Sequence, residues 1–430
     1  MATSGFAAEA QPVEQPAAAD VPAGVIGYRV RLTQTFASSS AASAKVTALR
    51  AAGFSSRTWY RGWDGASQDR GKWTVNVLTI DPRTFAGELG ASYGADLYDR
   101  ELVSTMSAGL DATAAINAGF FVFSSASGAP GDPAGAAVYD GVLESEPVGD
   151  RPVLVLPHTG RGTNVVRPAW HGTITVESGH QSRGKQVHSL DGINRFPGLI
   201  RNCGGTGDLP TDAPLHDVTC TDPDELVAFT TAFDTQTPAG PGREVVVDRK
   251  DRVVHVAGQR GTSLHAGERS VQATGSASDQ LAEVVVGDRL TIATDLTAGG
   301  KSLVRKNVSV VNGGPELVRG GRKHVTQRAD GMVRDNDPSF AYGWALQRNP
   351  RTFAGVDGHG RTLLITVDGR QTGELGLSID ETAELALTLG LSNGINLDGG
   401  GSTAMVLNDQ VVTSPSDGRE RTIGDMIYVR

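Results

Sequence analysis

Short apolar runs, alternating with polar residues and closed by Gly, Asp or Asn, fill most of the chain from Gly71 onward. "KWTVNVLTIDP", "RPVLVLP", "GTITVES", "REVVVDRKDRVVHVAG" and "RTFAGVDGHGRTLLITVDG" all follow this pattern. Alternation at period two suits strands with one face buried, and Asp-Gly pairs suit the two-residue turns that join antiparallel neighbours. Gly supplies 55 of 430 residues, which favours turns and strands over long helices. One segment breaks the period: "LSIDETAELALTLGLSNG". There Ser378 and Glu381 form a capping box, and apolar residues recur at Ala383, Leu385, Ala386 and Leu389 before a Gly ends the run. The predicted class is α+β: mixed, mostly antiparallel sheets with a few helices, and neither a TIM nor a Rossmann alternation.

The N-terminal part has a different texture. Residues 1–23, rich in Ala and Pro, read as a disordered leader. Residues 24–66 read as a small βαβ-type unit: a strand through Tyr28, Val30 and Leu32, a helix through Ala44, Val46, Leu49 and Ala52, then a short strand in "SSRTWYRG". The main domain is expected over 67–430. The "LRAAGF" stretch makes 24–66 similar to a SPOR-type peptidoglycan-binding repeat, which implies a peptidoglycan contact through this unit.

Bulk properties exclude several partners. The formal net charge is −9 and no Lys/Arg run occurs, so nothing favours nucleic acid or anionic lipid. No stretch approaches the ~20 apolar residues of a membrane span. Cys203 and Cys220, the two cysteines, flank one polar loop, which predicts a disulfide and hence an oxidising compartment. Two free thiols are the alternative, and the absence of CxxC spacing argues against zinc. "FAAEAQ" suits the end of a removed export signal, so a secreted protein is expected.

Chemistry points to four glycine-rich strand ends. "INLDGGGSTAMVLN" places Asp398 at a strand end before Gly399, Gly400, Gly401 and Ser402. Successive glycine N–H groups can form an anion-binding nest, and a carboxylate beside it can act as acid, base or nucleophile; a decorated hairpin turn is the alternative. In "AINAGFFVF", Asn117 either holds a substrate oxygen or caps a turn. Arg351 and Thr352 begin the strand of "RTFAGVDGHGRTLLITVDGR", and Asp368-Gly369-Arg370 ends its return; an Arg can fork onto a phosphate. "VNGGPELVRGGR" adds Gly314. No HExxH, GxSxG or Walker pattern occurs, so no metal or cofactor is called, with a structural divalent cation left open.

These segments together resemble the phosphodiester glycosidase family. The similarity rests on Arg351-Thr352, Asp368-Gly369, "SIDETAELALTLGLSNGINLDGGGSTAMVLN" and "SPSDGRERTIGDMIYV", with "INAGFF", "GVLESEP" and "VNGGPELVRGGR" upstream. It spans roughly 71–430 and is least distinctive over 159–280. The resemblance implies hydrolysis of a sugar-1-phosphodiester to free sugar and phosphomonoester. It makes Asn117, Asp368 and Asp398 the catalytic core, with Asp398 as nucleophile or base, Asp368 as acid or electrostatic partner, and those two roles exchangeable. Gly399, Gly400, Gly401, Ser402, Arg351, Thr352, Arg370 and Gly314 would bind substrate and phosphate. A secreted bacterial enzyme acting on a cell-wall or other extracellular carbohydrate phosphodiester is expected. The alternatives are a non-catalytic glycan-binding protein on the same fold and a glycosidase whose substrate lacks phosphate.

Overall fold

A computed structural model describes residues 5–64, 73–178, 184–201 and 203–430. The expected boundary between 66 and 67 lies outside the described residues. The class is α+β, as predicted. Strands Arg322–Lys323, Glu316–Arg319, Leu391–Asn396, Arg351–Asp357, Thr362–Val367 and Val75–Ile80 form a six-stranded antiparallel sheet in that order. Two of its inner members, Arg351–Asp357 and Thr362–Val367, are buried at every position, so both sheet faces are covered. Alternation sorts their side chains. Phe353 and Ile365 pack on one side with Leu317, Ile379, Ala383 and Ala386. Ala354 and Leu364 pack on the other with Ile395, Ile116, Leu154, Val311 and Ile427. Each fully buried Phe or Ile contributes about 1.5–3 kcal/mol.

The helix Ile379–Thr388 supplies the first cover. Its capping box is present as the sequence predicts, with Glu381 N donating to Ser378 Oγ at 3.1 Å and Ser378 N to Glu381 Oε2 at 2.9 Å. The second cover includes a five-stranded sheet ordered Gln410–Val411, Met405–Leu407, Ala114–Asn117, Met426–Val429 and Leu89–Ser92. A further five-stranded sheet, built around Val308–Asn312 and Val153–Pro157, closes the same core. In it the Asp140-Gly141 turn has positive φ at both residues, 48° and 81°, as a two-residue hairpin requires.

Residues 169–302 hold a four-stranded and a five-stranded sheet with their own core, around Ile174, Val245, Val271, Leu281 and Leu290, and a two-stranded ribbon, Leu209–Pro210 with Cys220–Thr221. Buried Arg195, held within the lobe by Glu225 at 2.6 Å, ties it to the rest through Glu146 at 2.7 Å. The predicted disulfide joins Cys203 and Cys220. Asp208 lies beside both sulfurs, but the disulfide leaves no thiolate there to bind a metal.

The N-terminal expectation needs two corrections. The supposed leader contains a strand, Ala8–Gln15, paired antiparallel with Gly24–Leu32. "AEAQPVEQ" lacks apolar alternation and carries Pro12, so the sequence hides a strand that is tolerable only at a sheet edge. The helix Ser39–Ala51 forms, but "SSRTWYRG" makes no strand; residues 54–60 run without ladder pairing into a 3₁₀ turn, Arg61–Asp64. A hairpin and helix therefore replace the expected βαβ unit. Asp64, held within the unit by Arg29 at 2.7 Å, the Trp59 indole at 3.1 Å and Arg31, docks it to the main domain by accepting from the Tyr342 hydroxyl.

Candidate functional site

Antiparallel register brings the singled-out strand ends together. Arg351 faces Val367 across the six-stranded sheet, and Phe353 faces Asn396. The start of one strand thus lies beside the ends of two others, which continue into Asp368 and Asp398. In the neighbouring sheet, Asn117 faces Met426 and Ile116 faces Met405. That places Asn117, Ala404 and Asp425 at the same end.

Asn117 staples the two sheets. Its Nδ2 donates to the Asp398 carbonyl at 2.7 Å; its Oδ1 accepts from Thr352 Oγ1 at 2.6 Å and Ala404 N at 3.1 Å. Both residues are buried, Asn117 at 1% exposure and Thr352 at 0%. Of the two sequence readings, the capping role fits this geometry. Asn117 and Thr352 set where Asp398 stands, and their polar groups are spent doing so.

The triple glycine is not an open nest. Gly400 N donates to Pro350 O at 2.9 Å, Ser402 N to Gly399 O at 3.2 Å, and Gly399 N to the Asp398 side chain. The glycines serve a different need, close approach by two guanidiniums. A Cβ on Gly400, whose φ is +62°, would lie 2.8 Å from Arg370 Nη2; one on Gly401 would lie 2.1 Å from Arg421 Nη2. A Cβ on Gly399 would lie 2.9 Å from Pro350 O. Ser402 is buried and hydrogen-bonds the Asp398 carboxylate, so it holds the acid group.

Arg370 itself has φ +59°, an uncommon conformation for a non-glycine residue. Asn349 fixes it, accepting from Arg370 Nε at 2.9 Å. Burial and the charge of Arg421 lower its pKa, while Asp417 and Asp398 oppose that shift. Arg421 pairs with Asp417 through Nε at 3.0 Å and Nη2 at 2.5 Å.

Burial pushes the Asp398 carboxyl up to about 6, against the hydrogen bonds from Ser402 and Gly399 and the charges of Arg421 and Arg370. Burial likewise pushes Asp425 up to about 6, and the Asp398 charge adds to the rise. Asp425 accepts from Gly119 N at 2.8 Å and the Tyr139 hydroxyl at 3.0 Å. Asp368 is also raised to about 6, by burial and by the charge of Glu374. Its Oδ2 accepts from Ser414 N at 3.1 Å, and its buried Oδ1 has no hydrogen-bond partner. The carboxylate whose field meets that of Asp398 is thus Asp425.

Arg351 is buried, with Nε on Leu377 O at 2.8 Å and Nη2 on Trp344 O and Gln347 O at 2.9 and 3.2 Å. Those donors satisfy main-chain carbonyls, and the expectation that they cradle phosphate gives way to a structural role. Burial, with the Arg370 charge, lowers its pKa to about 9. Gly314 belongs to the frame too, exchanging hydrogen bonds with Asn396 at 2.7 and 2.8 Å.

Sequence reasoning missed Arg421, Asp425 and Asn349. Asp425 had a signal, a lone acid immediately before the apolar strand "MIYV". Arg421 had none, because the loop that returns it over Gly401 has no periodicity.

Fold and site define an α+β protein whose converging strand ends hold a half-buried carboxyl beside two neighbouring guanidiniums. Residues 241–430 match the family model of the phosphodiester glycosidases. The chain is similar to the bovine N-acetylglucosamine-1-phosphodiester alpha-N-acetylglucosaminidase, 32% identical over 111 residues, which are 26% of this chain and 21% of that protein. The mouse protein of the same name is 45% identical over 111 residues, again 26% and 21%. The chain thus spans about a fifth of the length of these curated relatives. Among solved structures, a putative exported protein from Burkholderia pseudomallei K96243 is 30% identical, with a TM-score of 0.85 over 100% of this chain and 87% of that one.

Proposed function

We propose that the protein hydrolyses a sugar-1-phosphodiester, releasing free sugar and a phosphomonoester. The observation that carries this reading is the pairing of Arg370 and Arg421 against the glycine loop beside Asp398. Two guanidiniums that repel each other lower that repulsion by sharing an anion, and guanidinium suits phosphate oxygens. The phosphate would sit on this pair, with the anomeric carbon toward Asp398. Asp398, ionised above about pH 6, would act as nucleophile or as the base that activates water. The bond between the anomeric carbon and the ester oxygen breaks, its electrons leave with the phosphate, and water supplies the new hydroxyl on carbon. Asp368 would anchor the loop of Ser414 near the cleft, and Asp425 would tune Asp398 through its charge. The family match over residues 241–430 supports the reaction type, and the disulfide with the exported neighbour supports secretion, which would put the substrate among extracellular or cell-wall glycans.

The test is turnover of a panel of sugar-1-phosphodiesters in ¹⁸O water by wild type and Asp398→Asn. The reading expects label in the sugar hydroxyl and a rate loss of about 10²–10⁴-fold in the variant. Label in the phosphate would place the attack at phosphorus. Glycan binding without any turnover by wild type would leave a binding protein.

A further inference from the structure

The surface beyond Arg421 carries one exposed aromatic ring. In "INAGFFVF", Phe120 is buried at 4% exposure, whereas Phe123 is 59% exposed. Arg421 lies with its guanidinium carbon 5.7 Å from the Phe123 ring centre, and Arg100 with its own at 4.7 Å. Arg421 therefore touches both the glycine loop beside Asp398 and the Phe123 ring. Its position is fixed by Asp417. The order outward from Asp398 is acid, cation, ring, cation. The two outer cations are no more than about 10 Å apart, since both lie on one ring.

This order fits a repeating chemistry. A guanidinium suits a phosphate, and an exposed aromatic face suits the C–H face of a sugar ring. We propose that Phe123 and Arg100 form an outer subsite for the leaving side of the substrate, so that the preferred substrate is a chain of sugars joined through phosphodiesters. The phosphate being released rests on Arg421, the next sugar lies on Phe123, and the next phosphate reaches Arg100. This rests on the proposed hydrolysis for the direction of the chain, but the subsite itself is a binding claim. A substrate with a single phosphate and a small leaving alcohol would leave Phe123 and Arg100 unused.

The test compares a phosphodiester-linked oligosaccharide containing two phosphates with a methyl sugar-1-phosphodiester. Both kcat/KM and calorimetric affinity are measured for wild type, Phe123→Ala and Arg100→Gln. Both side chains are at the surface, and circular dichroism checks that the variants fold. Each substitution is expected to lower kcat/KM for the oligomer on the order of tenfold more than for the methyl diester, with a matching loss of affinity. Equal effects on both ligands, or none, overturn the subsite. If wild type turns over neither ligand, affinity decides alone. Oligomer binding that falls on the order of tenfold in both variants keeps the subsite while the hydrolase reading fails. Oligomer binding indifferent to both substitutions, or no oligomer binding at all, removes the subsite.

Discussion

Asp398→Asn should stabilise the fold while abolishing turnover, and the size of the gain follows from the site. Asp398 moves from an ordinary value of 3.8 to about 6 on folding. The folded state therefore binds this proton more tightly than the unfolded chain does. Between roughly pH 4 and pH 6 the folded state carries more protons, so stability falls as pH rises across that window. Above it the full cost of an ionised carboxylate is present. At 1.36 kcal/mol per pKa unit this is about 3 kcal/mol. That is an upper limit, because Asp398 is only partly buried by surface area. Asn keeps the shape and removes the charge. The variant should be more stable than wild type by roughly 1–3 kcal/mol at pH 8, with the difference vanishing near pH 4. Denaturant unfolding at the two pH values, with unchanged slope, measures this. A variant less stable than wild type at pH 8, or a difference independent of pH, would refute the reasoning. Either result would mean that the arginines and Ser402 more than compensate for burial.

Other consequences are equally open to measurement. The rate should rise with pH through about 6, since a base with that pKa is inactive below it; Asp425→Asn should move the midpoint down by removing a neighbouring negative charge, as a pH–kcat/KM profile would show. Gly401→Ala should raise KM on the order of tenfold or more with little change in Tm, because its Cβ would displace the paired side-chain ends of Arg421 and Asp417 together and leave the backbone in place; a large loss of Tm with KM intact would contradict that. Arg351→Met should cost about 3 kcal/mol or more in denaturant, leaving the carbonyls of Leu377, Trp344 and Gln347 without their donor. A variant of normal stability whose KM alone rises would restore Arg351 as a phosphate ligand.

How far the sequence reveals this site depends on how local the signal is. The helix Ile379–Thr388 is legible because its caps and apolar spacing lie within a few turns of each other. The strand ends at Asp368 and Asp398 are legible because alternation stops there and glycine begins. Asn117 is legible as a polar residue in an apolar run, but not its choice between substrate and staple. That choice is made by Thr352 and Ala404, far away in the chain. Arg351 shows the opposite failure: its position in the motif is right, yet the π-helical turn Tyr342–Leu346 and the residues after it supply carbonyls that consume its donors. The strand Ala8–Gln15 escapes notice because it is stabilised by pairing at an edge, with little apolar burial to leave a pattern.

The electrostatics also bear on why Asp398 is set against the charges of Arg370 and Arg421, whereas Asp368 is set against Glu374. Ordinary glycoside hydrolysis needs an acid to protonate an alkoxide-like leaving group. A phosphomonoester, with a second pKa near 6, leaves as an anion that needs charge stabilisation more than a proton. On the proposed reading two guanidiniums would supply that, with no proton required from a second carboxylic acid. On this argument Asp368→Asn should lose activity only as far as the Ser414 loop shifts, well short of the loss in Asp398→Asn. Paired Arg370→Gln and Arg421→Gln substitutions should lose far more on a phosphodiester than on an activated aryl glycoside whose leaving group carries no phosphate. If Asp368→Asn proves as inactive as Asp398→Asn while Ser414 keeps its place, the leaving group does need an acid, and Asp368 supplies it.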